Sequence, residues 1–270
     1  RIAFHAVKEV PANWKVVMEA FSEGYHVIAT HPQILEFTAD ANSEYSIWAD
    51  SKNVSRFVNG FGVQSPHLGE LTEQQVADAY AAFSNRNADK GAIPVADGQT
   101  ARQAIAETFR AGMAKIYRSD LTDFSDAEIL DAILYHLFPA FAPWAGVGQP
   151  LVYRWRPGPT PDTSFMDVYR MAPPPDGEDR PAPAPTERLL LEQSWKESKA
   201  MGGLANVFEQ DMANLPRVQA GLKSTGKPTG SFGLYQEARL RMFHRLIDER
   251  NSSGLAAQGR TPDELEPFAI

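Results

Sequence analysis

Two runs rich in β-forming residues, Leu151 to Arg156 and Thr163 to Met171, stand either side of Pro157, Gly158, Pro159, Thr160, Pro161 and Asp162. Branched and aromatic side chains suit a pleated surface, while proline, glycine and aspartate suit a chain reversal. The pair predicts a β-hairpin, and with it an antiparallel sheet. Residues 1 to 9 alternate loosely (Ile2, Phe4 and Ala6 against Arg1, His5 and Lys8) and read as a further strand, stopped by Pro11. Helical spacing follows from Asn13 to about Tyr25 (Trp14, Val17, Met18, Phe21), with Pro32 ending whatever continues it. Strands are expected around Tyr45 to Ala49 and Ser55 to Val63.

From Leu71 to Leu137 the pattern is helical, with capping-box signatures at Thr72 with Gln75 and Ser125 with Glu128, and a loop from Asn85 to Gly98. The stretch Ala172 to Pro185 contains six prolines and reads as an exposed loop. Thr186 opens a long helical pattern through Leu189, Leu190, Trp195, Ala200, Leu204 and Phe208, and a last helix runs from about Phe232 to Arg250. Strands early and in the middle, with helices between and after them, predict an α+β domain: an antiparallel sheet curved around a long helix, with extra helices. The Pro-rich stretch joins a hairpin to a helix, not two self-sufficient segments, so residues 1–270 are read as one domain.

The absence of cysteine removes disulfides, thiolate nucleophiles, thiolate zinc sites and thiolate-ligated iron–sulfur clusters from this chain. Any metal must sit on His, Asp or Glu. A net charge of −8, spread along the chain, disfavours nucleic acid and anionic membrane as partners. No membrane span and no signal peptide is legible, so the expected location is the cytoplasm.

The densest group of potential ligands is Glu19, Glu23, His26 and His31. Two neutral imidazoles and one carboxylate on one face of Fe(II) leave positions open for dioxygen and substrate. Five residues apart, His26 and His31 point about 140° away from each other on an ideal helix. Both reach one metal only if the helix widens or ends between them, for which Gly24 and Pro32 give the opportunity. Spacing does not select a third ligand from 34 Asp and Glu residues. The other histidines, His5, His67 and His244, read as structural or solvated.

The run Asn13-Trp14-Lys15, Glu19, Glu23-Gly24-Tyr25-His26 and His31-Pro32 resembles the iron-binding stretch of the α-subunits of Rieske ring-hydroxylating oxygenases. Phe208-Glu209-Gln210-Asp211 before Gln219-Ala220-Gly221-Leu222 is similar to the family's later acidic helix, and Tyr135-His136-Leu137-Phe138-Pro139 to its strand before the hairpin. The resemblance implies a Bet v 1-like helix-grip fold enclosing an apolar cavity. It implies His26, His31 and Asp211 as ligands to a mononuclear Fe(II), with Glu209 the competing carboxylate. Glu23, often Asp in the family, would bridge the iron site to a Rieske-cluster histidine of a neighbouring subunit. Phe21, His136, Phe138 and Phe208 are expected to border the substrate.

The implied activity is hydroxylation, dihydroxylation or demethylation of a small hydrophobic, aromatic substrate with O2. Implied partners are a Rieske domain of the same or a neighbouring subunit, a ferredoxin or reductase, and a trimeric assembly with or without β-subunits. The family's Cys-x-His and Cys-x-x-His pairs are absent, so the [2Fe-2S] cluster is expected in a domain ahead of Arg1. Ala140 stands where many members have Asn. Pro216 is expected to kink or end the helix that carries Asp211. Two other readings stay open: a cavity-forming carrier of a hydrophobic ligand, with Glu23, His26 and His31 as a polar network, and a zinc hydrolase using the same donors.

Overall fold

The computed structural model describes residues 1–84, 92–173, 179–224, 226 and 230–261. One eight-stranded sheet organises them: β1 (Ile2–Val10), β2 (Glu44–Trp48), β3 (Ser51–Asn59), β4 (Ala132–Leu137), β5 (Phe141–Ala145), β6 (Leu151–Pro157), β7 (Ser164–Met171) and β8 (Thr186–Leu189), in the order β2-β3-β4-β5-β6-β7-β1-β8. Alternation decides which face is buried. Phe4, Ala6 and Val10 of β1, Tyr153 and Trp155 of β6, and Met166 and Val168 of β7 enter one core. The pairings Ala6 with Val168 and Trp155 with Met166 bring these side chains into one layer.

Three helices pack on that inner face: α1 (Trp14–Ala20) against β6 and β7, α6 (Leu204–Ser224) against α1, and α7 (Ala238–Ala257) against β2 and β3. Between α1 and the second strand lies α2 (Val27–Thr30), a single turn. A second core forms where α3 (Glu73–Ser84), α4 (Ala101–Tyr117) and α5 (Asp126–Leu130) meet the segment after α2, with Leu35, Phe37, Ile105 and Leu130 buried. The two cores share Phe61 at their margin. A bidentate pair from Arg102 to Asp131, at 2.6 and 2.9 Å, ties α4 to the start of β4. At Gly148 an added Cβ would lie 2.0 Å from the Ile129 carbonyl oxygen, so only glycine lets the β5–β6 connection approach α5.

Several expectations are corrected. The helical stretch thought to reach Leu137 ends at Leu130, and β4 follows; Asp131 leaves helical geometry with ψ 152° and turns both carboxylate oxygens to Arg102. Neither β5 nor the capping box of Thr100 with Gln103 was anticipated; those at Thr72 with Gln75 and Ser125 with Glu128 form. The second early strand runs from Ser51 to Asn59, not from Ser55 to Val63, because it pairs with β4 only as far as Asn59.

Thr186 opens a strand, not a helix. Four residues fill the free edge of β1 in parallel, and the buried Lys8 amino group donates to the carbonyls of Leu190 and Leu191, holding the exit. The sheet is therefore antiparallel throughout except at this edge. The helical spacing seen there was shared out among β8, a 3-10 turn at Trp195–Glu197 and α6. Pro216 lies inside α6, which continues to Ser224. The missing N–H is offset by burial on both sides of it, at Leu215 and at Gln219, whose side-chain oxygen accepts from Asn13 N at 3.0 Å. The last helix starts and ends later than Phe232 to Arg250.

Of the loop expected at Asn85 to Gly98, residues 85–91 lie outside the described residues; of that expected at Ala172 to Pro185, residues 174–178 do. Among the described residues, no helix is long and apolar enough to cross a membrane.

Candidate metal centre

The centre begins with a helix that stops early. Asn13 caps α1 by accepting from Lys15 N, and Val16, Val17 and Met18 bury its inner side. After Ala20 the chain turns through Phe21 to Gly24, where an added Cβ would sit 3.0 Å from Phe57 and Ser43. Two contacts fix this turn: Arg239 of α7 donates to the Ser22 carbonyl at 3.1 Å, and Gly24 N donates to the Tyr45 hydroxyl at 3.1 Å. The expected helix to Tyr25 is thus cut five residues short.

His26 then directly precedes α2, without a side-chain capping bond, and His31 follows its end with φ −128° and ψ 50°, outside the helical region. The helix ends between the two histidines, one of the two ways in which their rings could converge. The ring centroids lie 5.3 Å apart with the planes at 70°.

Asp211, 5% exposed, reaches them from α6. Its Oδ1 lies 3.0 Å from His31 Nε2 and 3.8 Å from His26 Nε2. The three potential ligand atoms are within 4.8 Å of one another, a grouping of three that is the only one found among the described residues. Glu209 is elsewhere. It accepts from Ser194 Oγ at 2.8 Å and from Trp195 N, capping the 3-10 turn that precedes α6.

Around the trio, Glu23 Oε1 lies 2.6 Å from His26 Nδ1 and its Oε2 accepts from His26 N at 3.1 Å. A carboxylate oxygen only accepts, so Nδ1 carries the proton and Nε2 faces Asp211. Burial disfavours a charged His26, but the Glu23 hydrogen bond and the charges of Glu23 and Asp211 outweigh it and raise its pKa. His31 Nδ1 lies 2.8 Å from Gln210 Oε1, a partner that the sequence reading missed.

The cluster forms part of the wall of two spaces. On one side is an apolar cavity of about 180 Å³ bordered by Phe21, Trp144, Tyr153 and Phe208. Phe21 packs against Phe208 and Tyr153 at centroid distances of 5.6 and 5.3 Å. Tyr153 was not singled out, although the alternation Leu151, Tyr153, Trp155 marks an inward face; Trp144 reads from the sequence as an apolar aromatic of the core. On the other side is a surface groove of about 210 Å³ with Glu19, Glu23, Tyr25 and Glu237 on its walls.

Of the four residues expected to border a substrate, Phe21 and Phe208 line this cavity, and His136 and Phe138 do not. His136 shares the inward face of β4 with Leu134, yet sits one side-chain repeat further along, beneath α7. Its Nε2 donates to the Pro139 carbonyl at 3.0 Å and its ring packs on Phe243 at 5.7 Å. Phe138 also packs on Phe243 and borders a separate groove beside Trp14 and Pro139. Of the other histidines, His5 is held by Asp167 at 2.8 Å and His244 by Glu19 at 2.7 Å.

Among solved structures, the chain is similar to the quaternary ammonium Rieske monooxygenase CntA in complex with L-carnitine (14% identity, 84% of this chain and 40% of that one, TM-score 0.40). It is also similar to dicamba monooxygenase bound to 3,6-dichlorosalicylic acid (12%, 90% and 57%, TM-score 0.37) and to naphthalene 1,2-dioxygenase with indole bound in the active site (12%, 90% and 53%, TM-score 0.43). The chain thus spans about 40 to 57% of the length of these structures. No curated protein matches. The model of the ring hydroxylating alpha subunit (catalytic domain) matches residues 3–253, from the first strand into the last helix. On that extent of match, the chain belongs to the family of ring hydroxylating alpha subunit catalytic domains.

Proposed function

We propose that residues 1–270 act as one oxygenase domain, in which His26, His31 and Asp211 hold a mononuclear Fe(II) and a small hydrophobic substrate occupies the inner cavity. The observation that carries the reading is the donor set: two imidazole nitrogens and a carboxylate oxygen within 4.8 Å of one another, at the wall of an apolar space. With no cysteine in the chain, this nitrogen–oxygen set suits Fe(II). Bound there, iron supplies the activation of dioxygen for hydroxylation, dihydroxylation or demethylation.

The protein's own side chains do the rest. Glu23 holds the His26 ring and keeps the proton on Nδ1, which leaves Nε2 free to bind metal. Asp211 Oδ1 and His31 Nε2 face each other 3.0 Å apart, so a cation bound by both would take the place of their direct contact. Phe21, Tyr153 and Phe208 present ring faces and edges to a flat apolar molecule, hold it near the cluster and exclude water. Burial raises the pKa of Tyr153, so its hydroxyl stays protonated.

Electrons are proposed to come from a Rieske [2Fe-2S] cluster in another domain, of the same or a neighbouring subunit, fed by a ferredoxin or reductase. Glu23 supports this route, since it touches His26 and also lines the outer groove, where a donor can dock. A trimer, with or without β-subunits, and a cytoplasmic location belong to the same reading.

The test is anaerobic Fe(II) loading followed by metal analysis of the unmodified chain and of His26→Ala, His31→Ala and Asp211→Ala. About one iron per chain, lost in each variant, is expected. Folded wild-type protein without bound iron would refute the reading and favour a carrier of hydrophobic ligands. Hydrolysis without dioxygen or reductant would favour a zinc hydrolase.

A further inference from the structure

We propose that Gln210 is a positioning residue for the metal centre: its side-chain oxygen fixes the tautomer and rotation of His31, as Glu23 does for His26. The inference rests on the metal reading above. An imidazole that binds metal must offer one bare nitrogen, and the N–H on the other side needs a fixed acceptor to prevent tautomer exchange and ring rotation. His31 is 3% exposed, so water does not readily serve as that acceptor. Gln210 Oε1, 2.8 Å from His31 Nδ1, does.

The orientation of the Gln210 amide is set by a second side chain. Gln33, in the 3-10 turn that follows His31, donates from Nε2 to Gln210 Oε1 at 2.8 Å and accepts from Gln210 Nε2 at 3.2 Å. Reversing the Gln210 amide alone would set N–H against N–H and oxygen against oxygen and break both bonds, so it turns only if Gln33 turns with it. Gln210 also directly precedes Asp211 on α6. One stretch of helix thus supplies the third ligand and the acceptor that aims the second.

Charge separates the two arms. Glu23 and Asp211 together match the charge of a divalent cation, and a neutral amide at the second histidine completes the hydrogen bonding without adding a third negative charge.

The experiment is anaerobic Co(II) titration of the whole chain, reading affinity by chelator competition and ligand geometry from the visible d–d bands. Gln210→Met removes the acceptor and is expected to weaken Co(II) about 10- to 100-fold and alter the bands, in metal-free protein that is still folded but melts at a lower temperature. Gln210→Glu restores an acceptor and is expected to return the bands and affinity toward wild type. Gln33→Leu, which frees the amide without removing it, is expected to weaken binding less than Gln210→Met.

Unchanged affinity and bands in Gln210→Met would overturn the inference while leaving the metal reading intact. If Gln210→Met does not fold, Gln33→Leu decides, since wild-type affinity and bands there would refute the clamp. Folded wild-type protein that takes up no Co(II) would overturn both.

Discussion

His136 gives the fold an acid limit that can be calculated. Burial, and then the positive charge of Arg239, push its pKa from 6.5 down to about 4, although the Pro139 carbonyl favours the protonated ring. The groups that face it from α7 are Arg239 and Phe243, and neither offers a negative charge. Between those two pH values the unfolded chain binds a proton that the folded chain refuses, so stability is full above pH 6.5 and falls as the pH drops toward 4. At about 1.4 kcal/mol per pH unit, the whole window corresponds to about 3 kcal/mol.

His136→Leu removes the titrating ring. It should cost stability at pH 7, where the Pro139 contact and the Phe243 packing are lost, but the deficit should shrink by about 3 kcal/mol at pH 4. Urea unfolding of both proteins at pH 7, 5.5 and 4 measures this. Other groups that favour the folded state at neutral pH, such as the Asp167 carboxylate held low by Arg156 and His5 against its own burial, act in both chains and cancel in the difference. A wild-type to variant difference that is equal at pH 7 and pH 4 would refute the argument. The consequence reaches the centre, because Arg239, beside His136, also holds the Ser22 carbonyl next to Glu23.

Two further substitutions test how the centre is supported. Gly24→Ala places a methyl group 3.0 Å from Phe57 and Ser43, which must shift; a loss of about 1–3 kcal/mol in urea unfolding is expected, with weaker iron binding because Glu23 moves with the turn. Unchanged stability and metal affinity would show that this turn is not tightly held. Asp131→Ala leaves Phe61 N without its acceptor and Arg102 with the Phe61 carbonyl alone, and, since Arg102 is 25% exposed, a cost of about 2–3 kcal/mol is expected, below that of a fully buried pair. A loss under about 1 kcal/mol would mean that water replaces the carboxylate.

The parts of this fold that were legible in the sequence are those whose signal is local. The hairpin of β6 and β7 shows alternation on both sides of a turn, and β1 shows alternation before Pro11. By contrast, β4 was hidden because Ile129 and Leu130 run into Ala132, Ile133 and Leu134 without a Gly or Pro between them. The boundary is set by Arg102, 29 residues from the Asp131 it grips. β8 was hidden for a similar reason: four residues are too few to display a period of two, and what makes them a strand is the open edge of β1.

The same distinction separates the histidines from their carboxylate. Spacing showed that His26 and His31 require a broken helix, and the break between Thr30 and Pro32 provides it. The choice between Glu209 and Asp211 depends on how α6 is rotated against the sheet. In the structure that rotation shows as the burial stripe Phe208, Asp211, Leu215 and Gln219, at intervals of three and four residues, which the polar Asp211 and Gln219 kept from reading as an apolar face in the sequence. Glu209 falls off the stripe, and Asp211 lies on it. A carboxylate on the apolar side of a helix is costly unless another group compensates it, so its position alone indicates that a cation or hydrogen-bond donors must face it from across the core. In this chain the facing segment is the one that carries His26 and His31.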